Sequence, residues 1–261
     1  ERAIFERDWA VAEQVVEGIA EGDIDGTAGN LAAGRLAIAR AESGEAQDRD
    51  AFLQEAVEAL TEARDRLPFS AEVARLLAGA HRLRGDLEPA REAYDLAWRN
   101  DPVSAPLALE YAQVLLATGR LDRAVTVVSE TAARNPGNVQ LREVRLGLER
   151  RRGNDGLVLL ERRRIHDQTP DDLANAQRYA RLLIETPPSY PLLVDDAGQP
   201  TIAPGEWARM SAAVQAERLR AERRRWLAEA DEIIRSLAAD PERGDSDEMR
   251  LTVSLLRAMH D

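Results

Sequence analysis

The stretch AEVARLLAGAHRLRGDLEPAREAYDLAWRNDP, residues 71–102, decides the fold. It holds two runs of strong helix formers separated by Gly85 and closed by Pro102. Its landmarks return at a fixed interval. Prolines stand at Pro68, Pro102, Pro136 and Pro170, and glycines at Gly85, Gly119 and Gly153, each 34 residues after the last. Alanines keep the same register at Ala56, Ala90 and Ala124, and again at Ala63 and Ala97. The chain has 12 prolines in 261 residues, so the proline register alone has a chance of about one in ten thousand once Pro68 is fixed. The period is real.

Each landmark has a physical reason. A glycine ending the first helix supplies the left-handed cap that lets the chain reverse. A small residue such as Ala90 lets two antiparallel helices approach closely. Tyr94, with Leu60 and Val128 in the same slot, fills the gap between neighbouring pairs. The proline after the second helix cannot continue it and opens the next connection.

These residues resemble the tetratricopeptide repeat. In 71–102 the matching positions are Leu77, Ala78, Gly85, Ala90, Tyr94, Ala97 and Pro102. The next repeat, 105–136, offers Tyr111, Ala112, Gly119, Ala124, Val128 and Pro136, with Thr131 in place of alanine. A third, 139–170, keeps Leu146, Gly153 and Pro170 but departs at Arg145, Val158 and Arg162. Upstream, 27–68 reads as a degenerate repeat with a lengthened turn at 43–50, and downstream 173–185 reproduces a first helix with Tyr179 and Ala180. The resemblance implies an all-α fold, an α-solenoid of about five helix-turn-helix repeats wound as a right-handed superhelix over residues 27–185.

The flanks are less regular. Residues 1–26 read as one helix over 2–21, with Ile4, Phe5, Trp9, Ala12, Val16 and Ile19 on one stripe, followed by a turn. Five of the 12 prolines fall in 186–204, where turn formers between two short apolar runs predict a small β-hairpin at about 190–204. Residues 205–261 predict a long helix to about Ala239 and a last helix over 245–259. That last helix has an apolar face and no partner after it, and Glu1 is not a methionine, so the chain reads as part of a longer protein. The compartment stays open between cytoplasmic and periplasmic.

Composition narrows the chemistry. All 35 basic residues are arginine, against 47 acidic residues and a net charge of −12. Such a surface disfavours nucleic acid and anionic membranes, and no apolar run is long enough to insert into a bilayer. With no cysteine there is no thiolate nucleophile or metal site, and His81, His166 and His260 lie far apart. No phosphate loop, dinucleotide fingerprint, nucleophile elbow or zinc-protease motif occurs, so neither catalytic nor cofactor-binding residues are expected. Asp23 and Asp25 are spaced like the start of a calcium loop, but Gly34 stands where the bidentate glutamate belongs, so the stretch reads as a capped turn. His81 reads as an inter-helix packing residue with one hydrogen bond, since Leu115 and Leu183 share its slot. The triplets Arg150–Arg152, Arg162–Arg164 and Arg223–Arg225 read as solvated faces paired with glutamates, or else as a local basic patch.

The family likeness implies a non-catalytic scaffold or adaptor that holds a peptide in the concave groove lined by each repeat's first helix. The residues placed there are Arg75, Arg82, Leu109, Gln113, Leu116, Glu143, Arg150, Gln177, Arg181 and Ile184, with Gly79 and Gly147 leaving dents. Four arginines among apolar anchors suggest an acidic, amphipathic protein or peptide partner. The asparagine of the family's chaperone-tail clamp has no counterpart. Two other roles stay open, a recruiting domain of a larger enzyme and a self-associating structural stack.

Overall fold

The structure, a computed structural model, describes residues 2–43, 48–186 and 202–238. Thirteen helices and no strand occur among them. The chain divides into two compact units, 1–148 and 149–261.

In the N-terminal unit, α1 (Arg2–Phe5) and α2 (Trp9–Gly22) lead into three helix hairpins. These are α3 (Thr27–Glu42) with α4 (Arg49–Arg66), α5 (Ala71–Arg84) with α6 (Leu87–Asn100), and α7 (Ala105–Ala117) with α8 (Leu121–Arg134). Each hairpin packs on the next through its second helix, α4 on α5 and α6 on α7. The reversals are made by Gly85 at φ 88° and Gly119 at φ 72°, left-handed conformations in which an L side chain is strained. Ser70 accepts a hydrogen bond from the Val73 N–H and starts α5.

The core is layered. Ala78, Ala90, Ala97, Ala112 and Ala124 are buried where helices meet most closely, and Tyr94 and Tyr111 fill the space between hairpins. Their rings stack with centroids 6.1 Å apart. Thr131, the departure from alanine, has a use. Its Oγ1 accepts from the indole N–H of Trp98 at 3.1 Å and donates to the Pro102 carbonyl at 3.1 Å. It satisfies a buried donor that alanine would leave unpaired.

Helix α9 (Val139–Arg151) runs across the division between the units. In the C-terminal unit Gly153, at φ 85°, precedes α10 (Asp155–Gln168), which packs on α11 (Leu173–Glu185). There α12 (Pro204–Arg209) leads to α13 (Ala212–Ala238), which packs on α11. The departure at Arg162 is accommodated by a second one. Asn175 stands in the slot held by Val73, Leu107 and Leu141, and the two buried side chains meet. Arg162 Nη1 donates to Asn175 Oδ1 at 3.3 Å, and Asn175 Nδ2 donates to the Arg162 carbonyl at 3.2 Å. A polar pair thus replaces an apolar one.

Two expectations for the flanks need correction. The single helix over 2–21 is two helices, because Arg7 adopts φ 58° and Asp8 caps the Val11 N–H to start α2. The long helix from Gly205 is broken at Met210 and Ser211, where the extended Met210 ends α12 and Ser211 Oγ accepts from the Val214 N–H. The β-hairpin at 190–204 lies outside the described residues except for its last three positions. There Ile202 is a bend and Pro204 already begins α12. The terminal helix expected over 245–259 lies outside them altogether.

Candidate peptide-binding groove

The face to build is that of the first helices α3, α5 and α7 in the N-terminal unit. On α5, Arg75, Gly79 and Arg82 are spaced i, i+4 and i+7, so they share one side of the helix. On α7, Leu109, Gln113 and Leu116 do the same. A side chain added at Gly79 would meet nothing within 4 Å, so the face is open between the two arginines. Gln113 is exposed, while Leu109 and Leu116 are half-buried against the core.

Arg75 is committed. Its Nε and Nη2 donate to the two carboxylate oxygens of Glu110 on α7, at 2.9 and 2.5 Å, a two-point contact across neighbouring hairpins. Glu110 raises the pKa of Arg75 in return. The Tyr94 hydroxyl donates to the same carboxylate at 3.3 Å, and burial, with the charge of Glu110, pushes the phenol up to about 12. One step back, Arg35 on α3 pairs with Glu72 on α5. A ladder of arginine–glutamate rungs therefore joins the first helices. Arg82 differs. Its Nε is buried without a hydrogen bond, and it lies near the Tyr94 hydroxyl, whose pKa it opposes raising. Among the described residues no carboxylate pairs with it.

The remaining expected groove residues belong to the C-terminal unit or to α9. Arg150 pairs with Glu185 at 2.6 Å. Gln177 is half-buried and Arg181 exposed, and Arg181 is engaged within the fold. Ile184, expected as an apolar anchor, is only 6% exposed, and its carbonyl accepts from Arg223 Nη2 at 2.5 Å. Glu143 is half-buried and engaged, and open space lies over Gly147. The four arginines placed on one face are thus unequal, and two have glutamate partners. The signal was in the sequence. Glu110 and Glu185 each follow their arginine by 35 residues, one repeat plus one position.

The other candidates resolve locally. Asp23 Oδ2 accepts from the Gly29 N–H at 2.8 Å and Asp25 Oδ1 from the Thr27 N–H at 2.9 Å, so both aspartates shape the turn before α3. Among the described residues no three histidine, aspartate or glutamate side chains cluster to hold a metal, and no helix is long and apolar enough to cross a membrane. His81 lacks the hydrogen bond expected of it. Its Nδ1 stands 3.6 Å from Asp86 Oδ2, and burial lowers its pKa. The arginine triplets are partly absorbed by the fold. Arg162 is buried beside Asn175, and Arg163 and Arg225 pair with Glu229 and Glu222. Arg223 donates to the carbonyls of Leu183, Ile184 and Thr186 at the end of α11.

Residues 85–145, spanning α6 to α9, match the tetratricopeptide repeat family model. The chain carries tetratricopeptide repeats. No curated protein matches it. Among solved structures, a tetratricopeptide repeat protein from Parabacteroides merdae superposes with a TM-score of 0.52 at 15% identity. That match covers 100% of this chain and 95% of the other, and it bears on the fold alone. MamA matches at 0.46 and 17% identity over 58% of this chain and 83% of its own. A thermophilic tetratricopeptide-repeat protein of Thermus thermophilus matches at 0.38 and 22% identity over 69% and 98%. The ladder, the open position at Gly79 and the stacked tyrosines are the particular features of this repeat-bearing chain.

Proposed function

We propose that this repeat-bearing chain is a non-catalytic scaffold that holds a peptide segment of a partner protein across α5 and α7. The observation that carries the reading is the open strip over Gly79, bordered by Arg82 on one helix and by Leu109, Gln113 and Leu116 on the next. A segment lying there meets apolar surface from the two leucines, an amide at Gln113 and an arginine with no carboxylate partner. It is therefore amphipathic, with its acidic residue over Arg82. Arg75 holds α5 to α7 through Glu110 and contributes shape more than charge. In the C-terminal unit Arg150, Gln177 and Arg181 remain candidates for contacts of their own, whereas the buried Ile184 is set aside.

The test is selection of binders from a random peptide library displayed against the protein, followed by affinity measurement on Leu116→Gln and Arg82→Gln. Each substitution is expected to weaken the selected peptides by about tenfold or more, since an apolar anchor or a shielded charged hydrogen bond is worth roughly 1.5–3 kcal/mol. Unchanged affinity in both variants, with helicity intact, would contradict the reading.

A further inference from the structure

At the N-terminal end of the same unit lies a cleft of about 430 Å³, walled by α1, α2 and α3. Ile4, Val11, Val15, Ile19 and Ala32 make its surface apolar, and Arg35 stands at its rim. Its size falls within the roughly 300–1,000 Å³ of ligand-binding clefts. Exposed apolar side chains gather around it. Val11, Val15 and Ile19, which line it, are 44%, 50% and 38% exposed. Exposed apolar residues gathered in this way mark an interaction site more often than chance placement does.

Two observations say what occupies it. Arg35 lines the cleft and also forms the first rung of the ladder, through Glu72 on α5, so the cleft opens onto the first-helix face already described. The charged groups lining it are engaged within the fold, Arg2 with Glu6 at 2.9 Å, Arg35 with Glu72, and Asp8 as the cap that accepts from the Val11 N–H, so none of them is left over for a charged ligand. We propose that the cleft is an anchor pocket for a cluster of uncharged apolar side chains at one end of the partner segment held across α5 and α7. This inference rests on the groove reading. Packed helices are spaced by roughly 8–10 Å, which puts α7 ~20 Å from the cleft, a span that about six extended residues cover. The partner segment is therefore one with its apolar cluster at one end and, about six positions away, the apolar residues that meet Leu109 and Leu116 on α7.

The probe is a dodecamer peptide selected from a displayed random library against the protein, labelled with fluorescein. Its affinity is measured on the unmodified chain, on Val11→Asp, on Val15→Asp and on Leu116→Gln. Val11 and Val15 are exposed, so the aspartates place a charge in the cleft without entering the core. Each is expected to weaken binding by about tenfold or more, and a peptide shortened by its apolar cluster should bind the unmodified chain, Val11→Asp and Val15→Asp alike, within about twofold, while still losing affinity on Leu116→Gln. Loss on Leu116→Gln with none on the two valine variants overturns the anchor pocket and leaves the groove standing. Loss on the valine variants alone overturns the groove, and with it the proposal that the cleft anchors a segment held there. A library that yields no binder overturns both. A second readout does not depend on how the variants fold. The peptide with benzophenone in its apolar cluster, irradiated with the unmodified protein, should crosslink within residues 2–35, and crosslinks confined to 71–117 overturn the proposal.

Discussion

Gly34 and Gly79 both sit inside helices, yet the same substitution should act on them in opposite directions. In a helix interior, glycine to alanine gains roughly 0.5–1 kcal/mol, because glycine gives up more backbone freedom on folding. At Gly79 an added Cβ meets nothing within 4 Å, so Gly79→Ala should keep that gain. At Gly34 the added Cβ would lie 2.5 Å from Leu60 Cγ, 2.8 Å from Cδ2 and 3.1 Å from Cδ1. Leu60 has no exposed surface and is packed with Ala37, Ala56, Leu77 and Ala80, so it has nowhere to go. Overpacking of that kind costs about 1–3 kcal/mol and outweighs the propensity gain, for a net loss of about 1–2 kcal/mol. Urea unfolding should show the midpoint of Gly34→Ala falling and that of Gly79→Ala rising, at unchanged slope. Hydrogen exchange should place the loss in α3, α4 and α5 and spare residues 149–186, since stacked repeats transmit damage to neighbours. Leu60→Ala alone should cost about 2–5 kcal/mol, and less in the Gly34→Ala background, because the new methyl enters the space vacated. A Gly34→Ala protein as stable as Gly79→Ala would refute the close approach of α3 and α4.

Three further substitutions probe other parts of the fold. Arg162→Leu should cost about 1–3 kcal/mol by leaving Asn175 Oδ1 without its guanidinium donor, whereas Arg162→Leu with Asn175→Leu should recover most of that loss in thermal unfolding. Burial lowers the pKa of His81 from 6.5, so the folded chain holds this proton less tightly than the unfolded one. Stability should therefore decline as pH falls below 6.5, and His81→Leu, matching Leu115 and Leu183, should flatten that decline in melting temperatures across the range. Arg223→Ala removes donors to three carbonyls at the end of α11 and should cost about 1–2 kcal/mol, read as faster amide exchange in the last turn of that helix.

The parts of the fold legible in the sequence are those set by single positions. Gly85, Gly119 and Gly153 need no knowledge of their neighbours to mark a reversal, and all three have positive φ. Ala90 and Tyr94 announce a close approach and a gap to fill, and both are fully buried. What escaped depends on pairs. Arg162 looked like a defect until Asn175, in a slot on the next helix, supplied its partner. Arg75 looked like a ligand for an acidic partner until Glu110 was found holding it. The breaks at Arg7 and at Met210 were hidden because the apolar stripe continues across both, although Asp8 and Ser211 were readable as caps. The apolar cleft was hidden for the same reason. The stripe on α2 is wider than α3 can cover, and that shows only once the two helices are packed.

Amide hydrogen exchange of the protein alone and saturated with a library-selected peptide tests binding on the first-helix face most directly. Protection should rise in α5 and α7, centred on Gly79 and Gln113, with little change in α6 and α8. Protection confined to α6 and α8, or to residues 149–186, would contradict it.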